Sequence, residues 1–119
     1  MKRLSTILLT LLLAISIFAT DFNRTFNVPG GQARRLSNLL SDGGYSGSNT
    51  LDFLTICNPT GNANTLYVGQ SDVSASNGAA ILAGDCNTWP AGKQPTQAGQ
   101  IYLFTATSQN ATFILRSTP

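Results

Sequence analysis

Apolar and polar side chains alternate through residues 22–28. Phe22, Phe26 and Val28 share one parity, and Asn23, Thr25 and Asn27 share the other. A period of two is that of a half-buried β-strand, with Arg24 as the exception on the apolar side. Val28-Pro29-Gly30-Gly31 ends the strand as a turn. Residues 32–40 read two ways: Leu36, Leu39 and Leu40 fit one face of a helix, and they equally fit a strand entering the polar stretch 41–49 (SDGGYSGSN). Thr50–Cys57 has apolar residues of both parities, as expected of a strand lying centrally in its sheet.

Asn58-Pro59-Thr60-Gly61-Asn62 then makes a turn, because Pro presets one dihedral and Gly permits a positive one. Short strands follow at 65–68, 80–83 and 86–89, separated by a polar loop at 69–78 and a Gly84-Asp85 turn, with Pro90 as a stop. After a Pro/Gln/Gly loop at 91–99, residues 100–107 and 111–116 have the spacing of a closing β-hairpin across Ser108-Gln109-Asn110. Seven or eight short strands predict an all-β fold, a small antiparallel β-sandwich or barrel, following an N-terminal hydrophobic helix.

That N-terminal segment changes how the charge is read. Lys2 and Arg3 precede the apolar run 4–19, LSTILLTLLLAISIFA, which closes on the small residue Ala19. This is the order of a secretory signal peptide. Sixteen helical residues span about 24 Å, short of a hydrocarbon core of roughly 30 Å. Residues 1–19 are therefore read as a signal peptide, with a signal anchor as the alternative, and 20–119 as a single β-domain. The whole chain carries +2, all of it from Lys2 and Arg3. The body balances Arg24, Arg34, Arg35, Lys93 and Arg116 against five Asp, and 37 of its 100 residues are Ser, Thr, Asn or Gln. A neutral amide- and hydroxyl-rich domain does not steer toward nucleic acid, and membrane contact is left to residues 4–19 if they stay attached. Arg34-Arg35, the one basic cluster, reads as a solvated strand or helix face.

Candidate chemistry is sparse. The chain has no His and no Glu, which removes the usual proton shuttle and the commonest zinc ligand. Its two cysteines, Cys57 and Cys86, are expected to pair as a disulfide in an oxidising compartment. Residues 71–78, SDVSASNG, space oxygen ligands as a calcium loop does, but Asn77 stands where the turn glycine belongs and Ala83 where the bidentate Glu belongs. A turn in which Asp72 and Asn77 cap local backbone donors accounts for the segment better. Nothing selects a catalytic pair among the five aspartates, and no Ser has a base to activate it. No catalytic, metal or cofactor residue is assigned. Tyr45, Trp89, Asp72 and Asn77 are the candidate surface contacts, with the loops 41–49, 69–78 and 91–99.

Residues 64–84, NTLYVGQSDVSASNGAAILAG, resemble a small β-rich domain recurrent in bacteriophage and prophage virion proteins. The resemblance rests on Tyr67-Val68-Gly69, Ser71-Asp72-Val73-Ser74, Asn77-Gly78 and Leu82-Ala83-Gly84-Asp85. Gln100-Ile101-Tyr102-Leu103 and residues 113–116 look like the later strands of that domain. The resemblance implies a non-enzymatic structural or surface-interaction protein of a virion. Its partners would be other virion subunits or copies of itself, and a host-surface protein or glycan. With the leader and the cysteine pair, a membrane-containing or membrane-extruded phage fits best, and the location is the exported space or the virion itself. The alternative is a secreted or periplasmic binding module, adhesin-like or carbohydrate-binding, that uses Trp89 and Tyr45. A small hydrolase using two aspartates is a third class.

Overall fold

In the computed structural model, which describes residues 21–89 and 96–117, the alternating residues form the expected first strand, β1 (Asp21–Val28). In chain order there follow β2 (Arg34–Arg35), the helix α1 (Leu36–Asp42), β3 (Thr50–Cys57), β4 (Leu66–Gly69), β5 (Ala79–Ile81), β6 (Cys86–Trp89), β7 (Thr96–Gln97), a 3-10 turn (Ala98–Gln100), β8 (Tyr102–Phe104) and β9 (Gln109–Ser117). The leader region lies outside the described residues. Two antiparallel sheets result, one in the order β1-β9-β3-β6 with β7 also on β3, the other in the order β2-β8-β4-β5. The all-β expectation holds at this level, with nine strands among the described residues rather than seven or eight. Two of those nine, β2 and β7, are only two residues long.

The ambiguous segment 32–40 divides into a two-residue strand and a helix. Leu36, Leu39 and Leu40 are buried on one helical face. Three backbone bonds close the helix: Gly43 N–H to Leu39 O (3.0 Å), Gly44 N–H to Ser41 O (3.1 Å) and Tyr45 N–H to Leu40 O (2.8 Å). The last two form a Schellman motif, which needs a left-handed residue, and Gly44 supplies it at φ +92°. The motif carries Tyr45 back over Leu40 into the core.

Strand β3 does lie between partners, β9 on one side and β6 and β7 on the other. Its two-parity apolar pattern has a further cause. The β3–β9 register shifts between Leu51 and Phe53, so Leu51 joins Leu54 and Ile56 in the core while Phe53 is left 37% exposed. A bulge supplies the extra residue that such a switch of face requires.

The predicted hairpin of 100–107 with 111–116 does not form. β8 pairs with β2 and β4 in one sheet, whereas β9 pairs with β1 and β3 in the other. Residues 105–108 instead carry the chain from sheet to sheet. Thr105 is fully buried there, its carbonyl accepting from Gly31 N–H (2.8 Å). Gly30 N–H donates to Ser108 Oγ (3.0 Å). A Cβ on Gly30 would collide with the Thr107 and Ser108 backbone, so the glycine permits the crossing and the crossing replaces the hairpin.

Leu54, Ile56, Ala111, Phe113 and Leu115 from the first sheet share one buried cluster with Leu66, Val68, Ile81 and Leu103 from the second, together with the three helix leucines. Phe26 packs edge-on against Phe113 (4.6 Å) and Phe22 against Tyr45 (5.2 Å). Arg24, the exception in the alternation, donates from Nη1 to Gly43 O (3.1 Å) at the end of α1, with its guanidinium over the Phe22 ring. Its head thus satisfies a carbonyl while resting against an aromatic ring.

The turn after β3 is held by amides rather than by its proline alone. Asn58, 1% exposed, donates from Nδ2 to Asn64 O (3.0 Å) and Ile81 O (2.9 Å), and its Oδ1 accepts from Asn62 Nδ2 (2.7 Å). Gln109 donates to Asn64 O (2.9 Å) and accepts from Asn64 N–H (3.2 Å). Every polar position of the buried Asn58 amide is thereby matched, the condition under which such a group is tolerated in a core.

Candidate functional site

Two surfaces stand out. The first is a cleft of about 390 Å³ between α1 and the edge of the second sheet, lined among others by Pro29, Arg34, Arg35, Asn38, Asp42 and Tyr102. β2 positions its arginines by pairing Arg34 with Leu103 and Arg35 with Tyr102, and Leu36 N–H anchors the start of α1 on Ile101 O (2.8 Å). Both arginines line this one cleft. Arg35 Nε donates to the Tyr102 hydroxyl (2.8 Å), with the guanidinium 5.4 Å from the ring centroid. Arg34 Nε is buried and makes no hydrogen bond among the described residues. A buried donor without an acceptor costs roughly 1–3 kcal/mol. Arg35 is exposed, as expected of a solvated face, whereas Arg34 is half-buried.

The second surface is the outer face of the first sheet. Its registers align Thr25, Thr112, Cys57 and Cys86 in one row and Asn23, Ile114, Thr55 and Thr88 in the next. Hydroxyls pair across the strands at Thr25–Thr112 (2.5 Å) and Thr55–Thr88 (2.8 Å). Beside these rows an apolar hollow of about 340 Å³ is lined by Phe22, Phe53, Ile114 and Leu115, with Asp21 and Arg116 at its rim. Arg116 Nε donates to Asp52 Oδ1 (2.9 Å). That hydrogen bond, with the attraction of the carboxylate, raises the guanidinium pKa further above its ordinary value. β1 forms the margin of this sheet, with β9 as its partner among the described strands.

Cys57 and Cys86 form a disulfide, as expected, between directly paired residues of β3 and β6 with Cα atoms 4.0 Å apart. Asn58 N–H donates to Asp85 O (2.9 Å) just beyond them, so the cysteines occupy the close, non-hydrogen-bonded position of the ladder.

Tyr45 does not present a surface ring. It is 7% exposed, its hydroxyl donates to Ser48 O (2.6 Å), and burial raises its pKa above 10.0, opposed by a smaller effect of Ser117. Trp89 is half-buried against the core. Asp72 and Asn77 are exposed and meet in one turn. Asn77 Oδ1 accepts from Ser74 N–H (2.7 Å), and its Nδ2 donates to the backbone carbonyl of Asp72 (3.1 Å). Asn77 caps a donor as expected, whereas Asp72 contributes its carbonyl. Val73, between them, is buried and plugs the loop onto the sheet.

The cleft was missed because Arg34 and Arg35 are distant in sequence from Tyr102. The one available signal was a basic pair directly ahead of a leucine-patterned helix. Comparison with protein-family models, curated proteins and solved structures found no match.

Proposed function

We propose that the chain is a non-enzymatic structural or surface-interaction protein of a bacteriophage virion, of a membrane-containing or membrane-extruded type, built as an exported β-sandwich. The disulfide between neighbouring strands supports assembly in an oxidising compartment, in keeping with the leader pattern of residues 1–19. The observation that carries the reading is the eight-residue margin strand β1 beside the apolar hollow of Phe22, Phe53, Ile114 and Leu115.

The proposed occupant of that margin is a second copy of the chain. An antiparallel edge can pair with its own copy about a two-fold axis. The rim of the hollow also carries both signs of charge, Asp21 and Arg116, as a self-complementary patch requires. Mass spectrometry of purified particles and culture supernatant tests the assignment. The chain is expected on particles at fixed stoichiometry with Cys57 and Cys86 oxidised. Finding it only as a free supernatant protein would overturn the reading. The cleft at Arg34 and Arg35 favours a second reading, a secreted or periplasmic binding module.

A further inference from the structure

We propose that the cleft between α1 and β2 binds a small dipolar carboxylate of the size of a short peptide, with the carboxylate held by Arg34 and Arg35 and the cationic end toward Asp42. Three observations converge. Arg34 lines the cleft and its Nε is buried with no acceptor among the described residues, so its guanidinium charge is left for a carboxylate in the cleft to offset. Arg35 is preorganised differently. Its Nε is committed to the Tyr102 hydroxyl (2.8 Å) and its plane is held over the ring, which leaves the two Nη groups as a rigid fork. A planar fork matches a carboxylate in two parallel hydrogen bonds.

The third observation selects the ligand's other end. Asn38 and Asp42 lie four residues apart on one face of α1, and Arg35, the extended residue just before its first turn, lines the same cleft. Seven residues at helical rise place Asp42 about 10 Å from Arg35 along the axis. The one ion pair recorded among the described residues is Arg116 with Asp52, so the cleft's two cations and its carboxylate are all unneutralised by the chain. Asp42 in the same cleft opposes a dianion such as phosphate and favours an ammonium group. A molecule with opposite charges about 10 Å apart spans three extended residues. The cleft volume of about 390 Å³ accommodates a ligand of that size. Asn38 lies midway, with an amide that can donate to or accept from a peptide group.

Triglycine is the probe, titrated into the oxidised full-length protein by calorimetry, with triglycine amide and N-acetyltriglycine as controls. Triglycine is expected to bind, triglycine amide to bind at least tenfold more weakly, and N-acetyltriglycine several-fold more weakly. Arg34→Met and Arg35→Met should each lose at least tenfold in triglycine affinity. Asp42→Asn should retain N-acetyltriglycine binding while abolishing the preference for the free amine. Near-ultraviolet circular dichroism checks that each variant is folded. Since Asp42 is at the exposed end of the helix, its variant keeps the test valid if an arginine variant fails to fold. Absence of triglycine binding, equal binding of acid and amide, or competition by sulfate at equal concentration would each overturn the proposal.

Discussion

The two sheets are specified in different ways. The first is built around three long strands, β1, β9 and β3, with eight paired positions in unbroken register between β1 and β9, and the disulfide fixes its other side. The second uses strands of two to four residues and owes its shape to turns. Gly78 lies so close to Tyr67 and Val73 that a Cβ would sit 2.7 Å from the Tyr67 Cβ and 2.8 Å from Val73 Cγ2. The 82–85 turn closes through Asp85 N–H to Leu82 O (2.9 Å), with Gly84 at φ +89°. One sheet is set by a repeated pattern, the other by single residues at which no substitute fits. Sequence periodicity can reveal only the first kind of instruction.

The largest effect should come from opening the lock of the first sheet. The cysteines are 29 residues apart, and a cross-link closing such a loop stabilises by about 3–4 kcal/mol in the chain-entropy model. Urea denaturation of the double variant Cys57→Ala/Cys86→Ala should show that loss. A change below about 1 kcal/mol would move the origin of the first sheet's stability to its strand pairing.

A smaller loss is expected in the second sheet. Gly78→Ala forces a methyl group against Tyr67, Val73 and the Ser74 carbonyl, which costs about 1–3 kcal/mol by overpacking. Amide hydrogen exchange should then quicken in β4 and β5 while β1 and β9 keep their protection. Equal quickening in both sheets would show that they open as one body and would dissolve the distinction.

The smallest effect lies where the helix joins the two. The Tyr45 phenol is raised by burial, so the folded state prefers its neutral form. Its contribution is fully present below pH 10 and is lost as pH rises above the ordinary tyrosine value. The denaturation midpoint should fall above pH 10. In Tyr45→Phe that additional slope should vanish.

This difference also explains what was legible in advance. The period of two at residues 22–28 located β1 correctly, and the apolar run Thr50–Cys57 located β3 and its central place. The hairpin failed because spacing alone cannot tell a turn from a crossing. The deciding contact is Gly30 on the Thr107–Ser108 backbone, far away in sequence. Tyr45 was misplaced for a more local reason. Gly43-Gly44 falls in the polar stretch 41–49, yet a glycine after a leucine-patterned helix followed by an apolar residue is the signature of a Schellman end. Asn58 looked like turn punctuation, yet its amide joins β5 and the β3–β4 turn through the core. Of the candidate contacts, Asp72 and Asn77 lie in the exposed turn foreseen, and the cysteines met as expected. The arginine cleft required three elements to be in place before it existed.

The pairing of β1 with β9 has a consequence in time. The first described strand finds its only recorded partner in the last, most of the chain away, and β9 is also the strand on which β3 leans. Pairings of such sequence separation are slow to close. During synthesis or export, β1 and β3 must therefore wait for the C-terminal strand before their sheet can exist. The second sheet has the same dependence in milder form, since β4 and β5 are close neighbours but β8 comes late. A chain released before residue 109 would hold a disulfide-linked β3–β6 pair and a β4–β5 pair, but no assembled first sheet, so the domain commits to its fold only once it has been delivered whole.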